Sequence, residues 1–518
     1  MGEALENSRM TASRPCGLWA ALLLAAAMTA QGCAPVGPDY RRAEPAVPSA
    51  YTALEPPIAT SDPPGPCIGG SWWTMLQDPV LTRLIAQAVE NNLDIRAAAA
   101  RVQQARAMAG VSGARLLPEG GPQGSYDVYR RSDAAAPTRE IGTSPTALQR
   151  RGEFYQAGFD ASWEIDIFGG IRREIEAAYA DLEAAGEGLR DVLVTLQGDV
   201  VRNYLELRGA QLRVDIAQRE LESRRTNASI TQSRYDAGLV NHLELSRALG
   251  EVASAESRIP SLENDILTAV HRLGVLLGQA PASLIPELSP AAPIPAIPDK
   301  LPAGLPSELL RQRPDIRKAE REVAAATAGI GVSTADLFPR FSLTGSFGYL
   351  DDDLDSTSWR SGHYWGLGPS IRWPILNFRR ILSEIAAKEA VRDESIAHYE
   401  KVVLLSLEEV ENALIVLSTE KRRAAALSVA AAANEDALSM ARELYTAGAV
   451  SYLAILDAES ALYRAEDELA LSRIHRAVGF VSLYKALGGG WRDAELQTEE
   501  GGSSPEADVA DGRPPSGG

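Results

Sequence analysis

The chain has three cysteines and five histidines in 518 residues. So few thiols exclude a disulfide scaffold and a four-cysteine zinc site. The histidines (His242, His271, His363, His398, His475) are scattered, and no His-Glu-x-x-His, P-loop or Gly-x-Ser-x-Gly motif is present. No enzyme constellation and no resident metal or cofactor site is visible. Basic residues are also short, 51 against 69 acidic, for a net charge of −18. That balance argues against nucleic acid, because phosphate contacts need a basic surface. No apolar run reaches the roughly 20 residues of a membrane-spanning helix. After the N-terminal segment only Met75, Met108 and Met440 remain, which disfavours a methionine route for copper. Proline is missing from Thr146 to Ile259 and again from Ile375 to Ser504.

What is there begins with an export signal. Residues 17–28 read GLWAALLLAAAM, the length of a signal-peptide core, with Arg14 just before it. Glu3 and Glu6 spoil a basic start, so Met10 is an alternative first residue. The run ends in Ala30-Gln31-Gly32-Cys33, which resembles a bacterial lipobox. The usual pattern has an aliphatic residue where Ala30 stands. The expectation is a signal peptide over 1–32 and an acylated Cys33, leaving Cys67 a free thiol. Without acylation a Cys33–Cys67 disulfide is open in an oxidising compartment. Ala34 in place of Asp permits the outer membrane.

The rest is one unit written twice. Leu93-Asp-Ile-Arg96 returns as Pro314-Asp-Ile-Arg317, and Leu116 and Pro118 as Leu337 and Pro339. Farther on, Trp163, Ile165, Phe168 and Ile171 match Trp373, Ile375, Phe378 and Ile381. Tyr235-Asp-Ala-Gly238 matches Tyr445-Thr-Ala-Gly448, and Leu277-Gly278 matches Leu487-Gly488. Each unit predicts a helix, two strands and two very long helices. The absence of proline permits that length. Apolar steps of four and three (Val403, Leu407, Val410, Leu414, Leu417) and of seven (Leu245, Val252, Ile259, Ile266, Leu273) are helical and coiled-coil periods. Pro260 predicts a kink in the first repeat only. Between the long helices, Gly238 and Gly448 suit a left-handed helix end. Asn241 with Glu244 forms a capping-box pattern, and Ser451 is the matching cap.

The strand segments alternate with period two. Phe341, Leu343, Gly345, Phe347 and Tyr349 share one face, as do Trp365, Leu367, Pro369, Ile371 and Trp373, and Tyr155, Ala157, Phe159, Ala161 and Trp163. Gly124–Arg130 is a weaker strand. Alternation ending in aromatics is the pattern of a transmembrane β-barrel; its bland counterpart is a half-buried soluble sheet. Four strands cannot close a barrel, since barrels begin at about eight. Several chains must then share one, and three would supply twelve strands. The chain divides into an N-terminal extended segment (33–75), a first repeat (76–280), a proline-rich linker (281–306), a second repeat (307–490) and an acidic tail (491–518) expected to be disordered.

The start Cys33-Ala-Pro-Val-Gly-Pro-Asp-Tyr40, the run Leu305-Pro-Ser-Glu-Leu-Leu-x-x-Arg-Pro-Asp-Ile-Arg317 and both Tyr-x-Ala-Gly turns resemble TolC-like outer-membrane factors of the lipoprotein, NodT-type branch. The resemblance covers roughly Cys33 to Gly489. It implies an α+β membrane protein: a homotrimer with a twelve-stranded outer-membrane β-barrel, four strands per chain, and a long periplasmic α-helical coiled-coil barrel. It implies a non-enzymatic exit duct for small toxic molecules, with no cofactor beyond lipid on Cys33. Its partners would be outer-membrane lipid, a periplasmic adaptor and an inner-membrane pump, commonly of the resistance–nodulation–division type.

The resemblance places a gate at the periplasmic tips, at Leu453 and Asp457 with Tyr445 nearby. Relatives carry there a leucine and an aspartate, or two aspartates with an arginine. Ala454 and Val450 stand where the two-aspartate version has an aspartate and an arginine, so that arginine link is absent here. A ring of Asp457 carboxylates would favour cations, and a ring of Leu453 would block by dewetting. The bland readings are coiled-coil core for Leu453 and a surface ion pair for Asp457, with Arg247 as partner. Glu244 is open to capping or to gating. Gly238, Leu239, Val240, Asn241 and Gly448, Ala449, Val450, Ser451 are the expected adaptor-docking tips. Competing readings are a type I protein-secretion duct, which the lipobox tilts against, and a soluble periplasmic scaffold, which the aromatic strands tilt against.

Overall fold

A computed structural model describes residues 34–42, 45, 48, 51, 70–130, 151–298, 312–351 and 362–491. The expected signal peptide, Cys33, Cys67, the end of the proline-rich linker and the acidic tail beyond Trp491 lie outside the described residues.

A short 3-10 turn, Trp72–Leu76, precedes α1, Pro79–Asn91. Asp78 caps α1 by accepting from the Val80 and Leu81 N–H groups at 2.9 and 3.1 Å, and Pro79 fills the first helical position, where no N–H is needed. Then come α2, Leu93–Ala114, strands β1, Glu119–Arg130, and β2, Arg151–Ile165, and the long helices α3, Gly170–Asp236, and α4, His242–Leu276. One helical turn, α5, Ile285–Leu288, lies in the linker. The second repeat supplies α6, Pro314–Ala335, β3, Arg340–Asp351, β4, His363–Arg372, α7, Phe378–Thr446, and α8, Tyr452–Ala486. Matching helices have nearly equal lengths: 22 and 22 residues for α2 and α6, 67 and 69 for α3 and α7, 35 and 35 for α4 and α8. α4 runs through Pro260 as one helix.

The duplication extends to single bonds. Trp163 donates its indole N–H to the Leu116 carbonyl at 2.9 Å, and Trp373 donates to Leu337 at 3.1 Å. At Gly238 and Gly448, with φ of +75° and +77°, the same two backbone bonds close α3 and α7: the glycine N–H to the tyrosine carbonyl three residues back, and the next N–H to the carbonyl five back.

Two compact units can be separated. One comprises the chain up to Arg41, Ala105–Asp181 and Glu322–Ser395; the other comprises Arg42–Gln104, Leu182–Arg321 and Ile396 onward. Each takes corresponding pieces from both repeats. The duplication and the compact units therefore divide the chain differently.

The first unit holds an antiparallel sheet of order β1-β2-β3-β4. Register puts Tyr126, Tyr155, Phe159, Trp163, Phe347, Trp365, Leu367 and Ile371 on one face. Trp365 is 79% exposed and Leu367 70%, so among the described residues nothing covers these side chains. The opposite face carries Gln123, Asp160, Ser162, Thr344, Ser346 and Ser370. Among the described residues, the outer edges of β1 and β4 pair with no strand. β1 begins at Glu119, earlier than its alternation suggested. Its glycines and Pro122 have no apolar signal, and an edge strand tolerates proline.

The second unit is helical. Its core is a run of buried leucines, valines and alanines, among them Leu205, Leu207, Val410, Leu414 and Leu273. Trp72 stacks on Tyr484 with centroids 5.0 Å apart and meets Phe480 edge-on. Among the described residues, no helix is long and apolar enough to cross a membrane.

Candidate functional site at the helical tips

The turn between α3 and α4 and the turn between α7 and α8 lie in the second unit. Their helices share a core of Ala228, Ala248, Leu438, Tyr445, Tyr452, Ile455 and Leu462. On α8 the buried stripe runs Tyr452, Ile455, Glu459, Leu462, in steps of three and four. Leu453, 50% exposed, and Asp457 stand one turn apart on another face, open to solvent. The structure thus brings the two expected gate residues together. The repeat-equivalent pair on α4 is Leu243, 55% exposed, and Arg247. Among the described residues, neither Asp457 nor Arg247 makes an ion pair.

Tyr445 is placed differently. It is 3% exposed and packs in the shared core, its ring 6.0 Å from Tyr452. The Arg234 guanidinium sits 4.4 Å from the Tyr445 ring centroid and donates to the Tyr445 carbonyl at 2.7 Å. Its sequence equivalent Tyr235 is 37% exposed and meets His242 edge-on. One ancestral tip residue has become core in the second repeat and surface in the first.

The capping expectations are met in half. The Asn241 side chain accepts from the Glu244 N–H at 3.1 Å, and Glu244 is half-buried. Ser451 makes no side-chain cap, contrary to the sequence reading. Its carbonyl takes the Ala454 N–H at 3.0 Å, a backbone bond that the first repeat also has, Glu244 N–H to the Asn241 carbonyl at 3.2 Å. Gly238, Leu239, Asn241, Gly448, Ala449 and Ser451 are exposed; Val240 and Val450 are half-buried.

This core also holds a buried ionic group that the sequence expectations do not include. Glu459 is fully buried. It accepts from Asn227 at 3.0 and 3.1 Å, from Ser223, and from Arg442 at 3.4 Å. One helical turn away, Glu220 binds Arg224 at 2.8 Å and Arg258 at 2.8 Å, and Arg224 also reaches Glu251. Residues of α3, α4, α7 and α8 are tied by these bonds. A buried carboxylate persists only when paired in this way. The signal was present: an acid on a stripe whose other members are apolar. Tyr452 lies beside it with no hydrogen-bond partner for its hydroxyl among the described residues. Burial, and then the negative charge of Glu459, push its pKa up to about 12. Ser223, Asn227, Ile230, Arg442, Tyr445 and Ile455 line a groove of about 340 Å³, large and polar enough to hold water. Among the described residues, no cluster of His, Cys, Asp and Glu is gathered to hold a metal.

These elements have counterparts in known proteins. The family model described as outer membrane efflux protein matches residues 84–279 and 305–489, the two repeats. The chain belongs to the outer membrane efflux protein family. Its relatives include nodulation protein T of Rhizobium leguminosarum bv. trifolii, 31% identical over 89% of this chain and 95% of that one. The cation efflux system protein CusC of Escherichia coli O6:H1 is 32% identical over 92% of this chain and 99% of its own. Among solved structures, the outer-membrane channel OprN superposes with a TM-score of 0.80 at 35% identity, covering 88% of this chain and 99% of that chain. The outer membrane efflux proteins thus share with this chain its long paired helices and four antiparallel strands.

Proposed function

We propose that this chain is one protomer of a trimeric outer-membrane duct that passes small toxic molecules out of a Gram-negative cell. The observation that carries the reading is the sheet. Among the described residues, one face is apolar and uncovered, the other polar, and both edges lack partner strands. Three copies joined edge to edge make a twelve-stranded closed barrel, apolar toward lipid and polar toward its lumen. The duct is passive. An inner-membrane pump, of the resistance–nodulation–division type, delivers cargo through a periplasmic adaptor. The adaptor meets the tips around Gly238–Asn241 and Gly448–Ser451, whose exposed backbone and small side chains permit close approach.

The gate is the exposed pair Leu453 and Asp457. In a trimer each forms a ring, one that dewets and one that attracts cations. Tyr445 supports this gate from the core, and Glu244 belongs to the neighbouring cap. Cys33 carries the lipid anchor. Its downstream residues support this, because Arg173 of the first unit holds them. It donates to the Val36 carbonyl at 3.1 Å and to the Asp39 carboxylate at 2.6 Å. The division at 33–75, 76–280, 281–306, 307–490 and 491–518 completes the proposal.

The deciding experiment is the mass of the detergent-extracted complex, corrected for bound detergent. A trimer is expected. A folded monomer in mild detergent would leave the strand edges without partners and end the duct reading.

A further inference from the structure

On the sheet's polar face, Gln123, Gly158, Gly348 and Tyr364 form one register row across all four strands. Tyr364 does not project from that row. Its side chain lies back across β3, and its hydroxyl accepts a hydrogen bond from the Gln156 side chain on β2 at 2.9 Å. The two glycines make this possible. A Cβ at Gly158 or at Gly348 would each stand 2.9 Å from the Tyr364 hydroxyl. The same Cβ atoms would also approach backbone, Phe347 O at 2.8 Å and Ala157 O at 2.6 Å. A bare strip of wall, two residues wide, is therefore covered by one phenol ring and held by one amide.

We propose that Tyr364 sets the free width of the duct at this level, and so the bulk of the solutes that pass. The inference rests on the reading that the polar face lines the lumen. Folded against Gly158 and Gly348, the ring adds to the wall and leaves the lumen open. Released, it stands into the lumen from each copy. Gln156 and the glycines are positioning residues, and Tyr364 is the group that meets solute.

The test uses the full-length protein in lipid nanodiscs and electron cryo-microscopy of wild type, Gln156→Ala and Gly348→Ala. The ring is expected against the wall in wild type and off it in both variants. A ring that stays down in both would overturn the proposal. Gly348→Ala also strains backbone and can fail to assemble. Gln156→Ala and Tyr364→Phe then carry the test, since neither adds an atom to the sheet. The second readout is single-channel current in a background opened at the tips by Leu453→Ala with Asp457→Ala. Gln156→Ala is expected to lose conductance there, and adding Tyr364→Ala to regain it. A loss that Tyr364→Ala does not repair would assign the effect to the sheet and overturn the role of the ring. A tip-opened Leu453→Ala, Asp457→Ala protein that forms no channel at all would overturn the duct reading instead.

Discussion

Arg234, near the end of α3, lies over the ring of Tyr445, near the end of α7, and donates to its main-chain carbonyl. The two residues come from different repeats, so the contact ties one hairpin tip to the other. Arg234→Ala removes a cation–π contact and a charge-assisted hydrogen bond, together worth about 2 kcal/mol. We expect faster amide exchange at Ala441–Ser451 and a larger open fraction in bilayers. Arg234→Lys keeps the charge but not the planar fork and should fall between. Unchanged exchange at both tips would mean that the contact does not couple them.

Glu459 is the buried acceptor for Asn227, Ser223 and Arg442. Glu459→Ala strands those donors and should cost about 3–5 kcal/mol, the range for breaking one side of a buried ion pair. Glu459→Gln keeps the shape and an acceptor oxygen and should cost clearly less. Denaturant titration of the helical signal measures both. Equal losses would show that the carboxylate charge, not the shape or a single acceptor oxygen, is what the site needs.

Tyr452 predicts an alkaline effect. Its folded pKa, about 12, lies above its ordinary value of 10.0 because burial and then Glu459 disfavour the phenolate. The folded state therefore holds its proton more tightly. That stability is complete below pH 10 and is lost as pH rises through 12. Tyr452→Phe should flatten the loss between those values. At neutral pH it should be neutral or slightly stabilising, because the buried hydroxyl has no partner to forfeit. Thermal melts at pH 8 and pH 11 compare the two proteins, and a Tyr452→Phe curve parallel to wild type would assign the alkaline loss elsewhere.

Asp457→Ala should reduce cation preference, read as a reversal potential moving toward zero across a salt gradient. The effect should shrink near 1 M salt, where screening acts within about 3 Å. Unchanged selectivity at low salt would remove Asp457 from the constriction.

Cys33→Ser should abolish palmitate labelling while export continues. Labelling that persists would place the lipid on another residue and refute the lipobox reading.

Much of the architecture was legible because it is periodic and repeated. Long proline-free stretches permitted α3 and α7, Gly238 and Gly448 marked where they end, and the paired tryptophans marked the strand ends. β1 was faint because Gly120, Gly121, Pro122 and Gly124 carry no alternation; pairing to β2, not local preference, makes them a strand. The fate of Tyr445 was not legible. It and Tyr235 occupy the same place in the repeat, and only the packing of four helices separates buried from exposed. Glu459 was legible in principle, as an acid where the spacing calls for an aliphatic. A search for gate aspartates passes over it, because it faces the core. Ser451 shows the converse: a residue of the right type at the cap position whose side chain makes no capping bond.

The unpaired edges of β1 and β4 also have a genetic consequence. A closed ring needs every chain in it to present two sound edges. A proline introduced where β4 must bond outward would therefore spoil the partners that chain joins, as well as itself. In a cell making both forms, such an allele would behave as dominant. A damaged tip, which needs no partner strand, would behave as an ordinary loss shared among the copies.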